Sequence, residues 1–250
     1  MPVVTIQDFA PIEMPGRNLP VRLERRRIRN AYARVRDDCV VIELPLHMGP
    51  IRSKAVSDLL YRRIRRSIEK NPNRYAEMRE LAFRDGQTLN MLGRTFTICI
   101  KPSAGARAAH SSFDSGVVAV TVPASYRKEK ADALAAKLVI RHVSMEVQKE
   151  LERRVAFFND RHFHSVIPNV TIRAASKVMG SCSPDNSIMV SFRMLYADQR
   201  MLDYIIVHEL AHTKFRDHSE RFWALVASIL PDYKETRKWL RNNLSTLAAG

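Results

Sequence analysis

Residues 207–212 read Val207-His208-Glu209-Leu210-Ala211-His212. On a helix, residues four apart stand one above the other, so His208 and His212 can present two imidazole nitrogens to one metal ion while Glu209 projects beside them toward a metal-bound water. A chain of 250 residues with 8 histidines produces His-Glu-x-x-His by chance in about 1% of cases, so the string is specific. Neutral imidazole is a preferred ligand of Zn2+, and a catalytic zinc site takes three protein ligands and keeps one position open. The third ligand has to come from beyond this helix, and His218 is the candidate. Asp217 and Glu220 have the spacing of a helix start, with Asp217 capping and Glu220 reaching back, which puts His218 in a first helical turn after a reversal at residues 213–216. Asp217, Asp232 or a more distant acid are the alternatives. The set implies hydrolysis, with Glu209 as general base. Tyr204, Tyr233 and Arg237 are candidate oxyanion stabilisers, although tyrosines among apolar positions are more often core residues. Cys182 as a fourth ligand would close the site, so it is expected to be a buried thiol.

The helix that carries these residues is itself apolar, through Leu202, Ile205, Ile206 and Leu210, and is expected to be buried. Helices are predicted over about 200–214, 219–230 and 232–244, and one long amphipathic helix over about 128–159, with Leu134, Leu138, Val147, Leu151, Val155 and Phe158 near helical spacing. Trp223, Trp239, Phe222 and Phe157-Phe158 read as core. Val170–Arg173 and Ser187–Phe192 alternate as a strand pair, and the intervening Gly180–Asn186 has the composition of a loop.

Further upstream, residues 1–19, with Pro2, Pro11 and Pro15, read as an irregular arm. Residues 20–125 read as a β-rich N-terminal domain. In it, strands over 21–45 turn at Asp37-Asp38 and precede a helix marked by Val56, Leu60, Ile64 and Ile68. Strands around Thr95–Ile100 and Val117–Val122, joined through Asp114-Ser115-Gly116, then precede the long helix. The likeness of Val40–Pro45 to Val118–Pro123 suggests a duplicated hairpin-plus-helix. Residues 126–250 form the expected catalytic domain.

A formal charge of +15 attracts anionic partners. Residues 20–74 hold 15 Lys+Arg against 6 Asp+Glu, with runs at Arg25–Arg27 and at Arg62, Arg63, Arg65 and Arg66, and are expected to make an anion-attracting face that aids recruitment. The cysteines, Cys39, Cys99 and Cys182, are odd in number and scattered, which excludes a disulfide framework or a cysteine-rich zinc site and fits a cytoplasmic location. No export signal or membrane span is expected, and no zinc-finger, helix-turn-helix or RNA-binding motif appears.

The run from Leu202-Asp203-Tyr204 to His218-Ser219-x-x-Phe222-Trp223, followed by Leu230–Tyr233 and Lys238-Trp239-Leu240, resembles the YgjP-like family of zinc metallopeptidases, related to the SprT-like and WLM proteases. Gly180-Ser181-Cys182-Ser183 and Leu92-Gly93-Arg94 extend the resemblance to about residues 20–243. It implies an α+β fold, a β-rich N-terminal part with a gluzincin-like catalytic domain, and the same ligands His208, His212 and His218 with Glu209. Met179 stands where the family usually has Trp, which removes an aromatic wall from the expected cleft. A peptide or protein substrate is the leading expectation. The alternatives are a zinc-dependent nucleoside triphosphate pyrophosphatase, because some relatives are labelled as acting on uridine triphosphate, and a nucleic-acid-associated zinc protein drawing on the basic N-terminal half.

Overall fold

The computed structural model describes residues 3–5, 9–14, 17–36, 38–75, 81–175, 178–244 and 247. The fold is α+β. Contacts divide the chain into one unit of residues 1–78 with 241–246 and a second of residues 79–240 with 247–250. The division falls at 78/79 and not at the expected 125/126, because the strands of residues 88–123 share a core with the helix that follows them.

The first unit contains β1 (Val3–Thr5), β2 (Ile12–Met14), β3 (Arg17–Leu19), β4 (Val21–Arg26), β5 (Tyr32–Val35), β6 (Val40–Pro45), α1 (Pro50–Lys70) and α2 (Pro72–Tyr75). Its main sheet has the order β1-β4-β6-β5, with β4 and β6 parallel and the outer pairs antiparallel, while β2 and β3 form a separate hairpin. Within residues 1–19, expected as an irregular arm, the described residues include the three short strands β1, β2 and β3. Ile12, Met14 and Leu19 are buried, but in three-residue strands that is too short an alternation to read against the neighbouring prolines. Pro50 at the first helical position and Pro72 after the last set the bounds of α1. Its inner face carries Ile68, Ile64, Leu60 and Val56, packed against Val40, Leu23, Ile42 and Leu44. Strand residues alternate between faces, so Glu24 and Glu43 lie on the opposite side. There Glu43, 0% exposed, is ion-paired to Arg34 at 2.6 Å, Arg26 at 3.1 Å and Arg36 at 3.2 Å.

In the second unit β7 (Thr88–Met91), β8 (Arg94–Ser103), β9 (His110–Asp114) and β10 (Val117–Pro123) make a sheet of order β7-β8-β10-β9, again with a parallel central pair and antiparallel outer pairs. Asp114-Ser115-Gly116 does not join β8 to β10, as expected, but β9 to β10. The strand β9 went unread because His110-Ser111-Ser112-Phe113-Asp114 is a polar edge strand with little apolar alternation. Ser115 (φ 46°) and Gly116 (φ 85°) supply the two left-handed positions of this tight hairpin.

Helix α3 (Lys128–Phe158) lies on this sheet. Ala135, Val139, Val143 and Val147 recur at fourth positions and bury against Phe96, Ile98, Val118, Val120 and Val122. A π-turn over Asn159–Phe163 ends α3 and leads into a small sheet of β11 (Val170–Arg173), β12 (Gly180–Cys182) and β13 (Ile188–Ser191). Its order is β11-β13-β12, with β11 and β13 parallel and β12 antiparallel to β13. The segment 180–182, expected to be loop, is thus an edge strand, and only residues 183–186 turn. Helices α4 (Gln199–Ala211), α5 (Glu220–Ile229) and α6 (Tyr233–Asn243) follow. Asp198 caps α4 by accepting from the Met201 N–H at 2.9 Å. Among the described residues, no helix is long and apolar enough to cross a membrane.

Candidate metal centre

Helix α4 is buried on most of its surface, with Leu202, Ile205, Ile206, Val207 and Leu210 at 0–2% exposure. It packs on α3, β12 and β13, and so has a fixed seat beside the small sheet. His208 and His212 stand one turn apart near its end, with ring centroids 5.1 Å apart. The chain then reverses. The N–H groups of Lys214 and Phe215 return to the Ala211 carbonyl, and the Thr213 hydroxyl donates to the Leu210 carbonyl at 2.7 Å. His218 is thereby brought back over the helix end, with its Nε2 3.1 Å from Nε2 of His208. It lies just outside α5 and not in its first turn. Ser219 holds the cap position without a side-chain bond, and Asp217 accepts from the Ser219 N–H at 3.2 Å instead.

One donor nitrogen from each of His208, His212 and His218 falls within 4.8 Å of the other two, and this is the only group of three or more His, Cys, Asp or Glu so placed among the described residues. Asp217, Asp232 and Cys182 are not in it. Asp232 is ion-paired to Arg200 instead. The Nδ1 of His212 is 3.0 Å from the Phe215 carbonyl, which as an N–H donor it would serve while leaving Nε2 with its lone pair free. The Nδ1 of His208 is buried with no hydrogen-bond partner. Burial, then the neighbouring His212, His218 and Arg237, hold the His208 imidazole down at about 3. Three imidazoles with converging nitrogens make a donor set that suits a borderline-soft divalent cation.

Phe222 of α5, fully buried, sits 4.7–4.9 Å by ring centroid from all three imidazoles. Trp223 stacks on His218 at 5.5 Å and on Tyr233 at 5.4 Å, and the Arg237 guanidinium lies 4.3 Å from its ring centre. The aromatic pair therefore packs directly against the imidazoles, a placement that a general expectation of core did not specify. Of the three candidate oxyanion stabilisers, Tyr233 is buried in this stack. Tyr204 is buried beside His208 with its hydroxyl pushed up to about 12 by burial. Arg237 alone is exposed.

Glu209, 6% exposed, points from α4 toward β12, and burial raises its carboxyl to about 7 against the opposing pull of the Cys182 backbone N–H. The close neighbour is Gly180. A Cβ there would lie 2.8 Å from Oε1 and 2.9 Å from Cγ of Glu209, and 2.9 Å from Cγ2 of Ile205. Only glycine allows strand and carboxylate to approach so closely. The sequence carried this signal as an isolated glycine in the Gly180-Ser181-Cys182-Ser183 run, where composition suggested only a loop. Arg216 was also unread. It donates to the carbonyls of Ser183 and Pro184 at 2.8 and 3.1 Å and to the Asn186 side chain, fastening the turn after β12 to the segment that carries His218. Cys182 is half-buried, with burial raising its thiol and Arg216 touching its sulfur at 3.5 Å.

Known proteins bear on this site as follows. No curated protein matches the chain. Among solved structures, the metallopeptidase zymogen abylysin of Pyrococcus abyssi is similar at 26% identity, covering 38% of this chain and 94% of its own, with a TM-score of 0.35, too low to establish a shared fold. The YgjP-like metallopeptidase domain matches residues 29–243, most of both units. The chain therefore belongs to the YgjP-like family and is a hydrolase of the metallopeptidase type.

Proposed function

We propose that this chain is a zinc-dependent peptidase, in which His208, His212 and His218 hold the ion and Glu209 is the general base. The convergence of three imidazole nitrogens within 4.8 Å beside a buried carboxylate carries this reading. A zinc ion held there supplies a Lewis acid that lowers the pKa of a coordinated water and polarises the scissile carbonyl. Glu209, whose burial gives it a proton affinity near neutrality, takes the proton of the attacking water and returns it to the leaving amine. The close approach of Gly180 and the Cys182 backbone N–H hold that carboxylate, so it is oriented before substrate arrives. Phe222 fixes the imidazoles from behind, and the Phe215 carbonyl selects the tautomer of His212.

The test is Glu209→Gln. It keeps size and shape but cannot accept a proton, so zinc content by elemental analysis should stay at one per chain while cleavage of an unstructured protein such as casein falls by about 100-fold to 10,000-fold. His208→Ala and His212→Ala should lose the metal outright. Parent-level cleavage by the glutamine variant would remove Glu209 from the mechanism. Hydrolysis of nucleoside triphosphates by the same preparation, without peptide cleavage, would replace peptidase by pyrophosphatase.

A further inference from the structure

The excess of positive charge in the first unit is not spread evenly once side chains are placed. Arg26, Arg34 and Arg36 are taken up by Glu24 and Glu43, and Arg22 by Asp38. Arg25 donates to the Met48 carbonyl and the Ser53 hydroxyl, and Arg17 to the Tyr75 carbonyl. What remains is Arg27 and Arg29, both exposed just after β4, and helix α1, which carries Arg52, Lys54, Arg62, Arg63, Arg65, Arg66 and Lys70 against Asp58 and Glu69.

At about 100° per residue, from 3.6 residues per turn, the exposed surface of α1 splits into two flanks. One carries Lys54, Asp58, Arg65 and Glu69, with Arg65 bonded to Glu69 at 2.8 Å. The other carries Arg52, Arg63, Arg66 and Lys70, with Arg62 at its edge one turn after Asp58 and with Glu69 three residues beyond Arg66, and every one of these cations is exposed. Arg62 donates to the Asp58 carbonyl one turn back at 3.3 Å. Capping of the helix dipole explains Lys70 alone, the basic residue of the last turn, because that effect fades beyond one turn.

We infer that the cation-rich flank of α1, centred on Arg62, Arg63 and Arg66, is a docking surface for the phosphate backbone of duplex nucleic acid. Side chains three and four apart on a helix stand about 5–6 Å from one another, so the flank presents a line of forked guanidinium donors. Duplex DNA offers about one negative charge per 1.7 Å of its axis, and Arg matches phosphate oxygens in a bidentate fashion. A bilayer is the poorer match. An interfacial helix must bury a broad apolar face, and the apolar face of α1 is already covered by the sheet, leaving Leu59 and Ala55 on this flank. Without sequence-reading side chains in the line, binding should be insensitive to base sequence.

The experiment uses the full chain and a fluorescein-labelled DNA duplex of about 25 base pairs, with anisotropy read from about 50 to 300 mM salt. The parent's log affinity should fall linearly with log salt. Arg62→Glu/Arg63→Glu/Arg66→Glu should weaken binding at least tenfold at low salt and make the slope shallower by about three, since each phosphate contact contributes about 0.9. The same number of reversals on α3, Lys137→Glu/Arg141→Glu/Lys149→Glu, should change affinity less than threefold. Arg62→Lys/Arg63→Lys/Arg66→Lys should keep the slope yet bind less tightly. Equal weakening by both sets of reversals would show diffuse charge attraction and overturn the assignment. So would an absence of binding, or capture by phosphatidylserine vesicles that depends on α1 while DNA binding does not. Circular dichroism and unchanged zinc content verify that each variant is folded, so failure here leaves the metal site untouched.

Discussion

At the scale of single residues, Gly180 and Glu209 show how a strand and a helix far apart in sequence fix one carboxylate. The string His208-Glu209-x-x-His212 was legible because four-residue spacing is a local property of a helix, and His218 because only one reversal separates it from that helix. Gly180 was not. Its contact with Glu209 exists only after β12 docks on α4, and nothing at 180 announces which side chain will press against it. Gly180→Ala should therefore cost about 1–3 kcal/mol of stability, as overpacking does, and lower turnover at least tenfold with zinc content unchanged. A double-mutant cycle separates crowding of the carboxylate from crowding of the strand. In a Glu209→Ala background the Oε1 and Cγ contacts vanish and only Ile205 remains close, so the alanine at 180 should cost less than half as much in thermal melts. An equal cost in both backgrounds would mean that Glu209 is not what the glycine accommodates.

Among the elements, those with a strong period were readable and those without were not. Val56, Leu60, Ile64 and Ile68 marked α1, and the long run from Lys128 marked α3, because burial of one helical face writes a repeat into the sequence. The missed strands β9 and β12 are short edges of small sheets, where one side is solvent and polar residues are allowed on both faces. The division at 78/79 was hidden for a related reason. Both halves use the same strand order and pairing directions, so local pattern cannot say which sheet shares a core with α3. Helix α5 was read correctly as apolar, but its consequence for the site came from tertiary placement, since Phe222 touches all three imidazoles. Phe222→Ala should cost about 3–5 kcal/mol in melts and weaken zinc binding in a chelator competition. Phe222→Leu should restore most of both. Undiminished metal affinity in a folded Phe222→Ala protein would show that the imidazoles need no support from α5.

For the molecule as a whole, the two units have separate cores and separate electrostatic demands, and acid should tell them apart. In the first unit Glu43 is enclosed by Tyr32, Arg34, Arg26 and Arg36. Burial pulls its carboxyl upward, but hydrogen bonds from Tyr32 and Arg34 and the charges of Arg34 and Arg26 outweigh it and hold the group below the usual carboxylate range. A depressed folded value means that the ionised form is favoured by folding. The stabilisation is therefore complete above the unfolded value of about 4.5 and is lost as pH falls through the lower folded value. Glu43→Gln removes the charge at every pH. Its deficit should be about 1–2 kcal/mol at neutral pH, less than for a fully buried pair because the guanidinium partners are 37–46% exposed. The parent and Glu43→Gln curves should converge as pH falls through the lowered folded value, where the parent carboxyl becomes protonated as well. Trp223 packs in the second unit against Phe222, Tyr233 and His218, so its fluorescence, read in a Trp239→Phe background, reports on that unit. Amide exchange at Val40–Leu44, buried strand positions of the first unit, reports on the other. In metal-free protein, where loss of zinc from protonated histidines cannot intervene, acid should raise exchange at Val40–Leu44, and Glu43→Gln should shift that rise toward neutral pH without moving the tryptophan transition. A deficit that does not shrink anywhere in the acid range over which the parent sheet stays folded would mean that Glu43 stabilises its sheet by packing and not by charge.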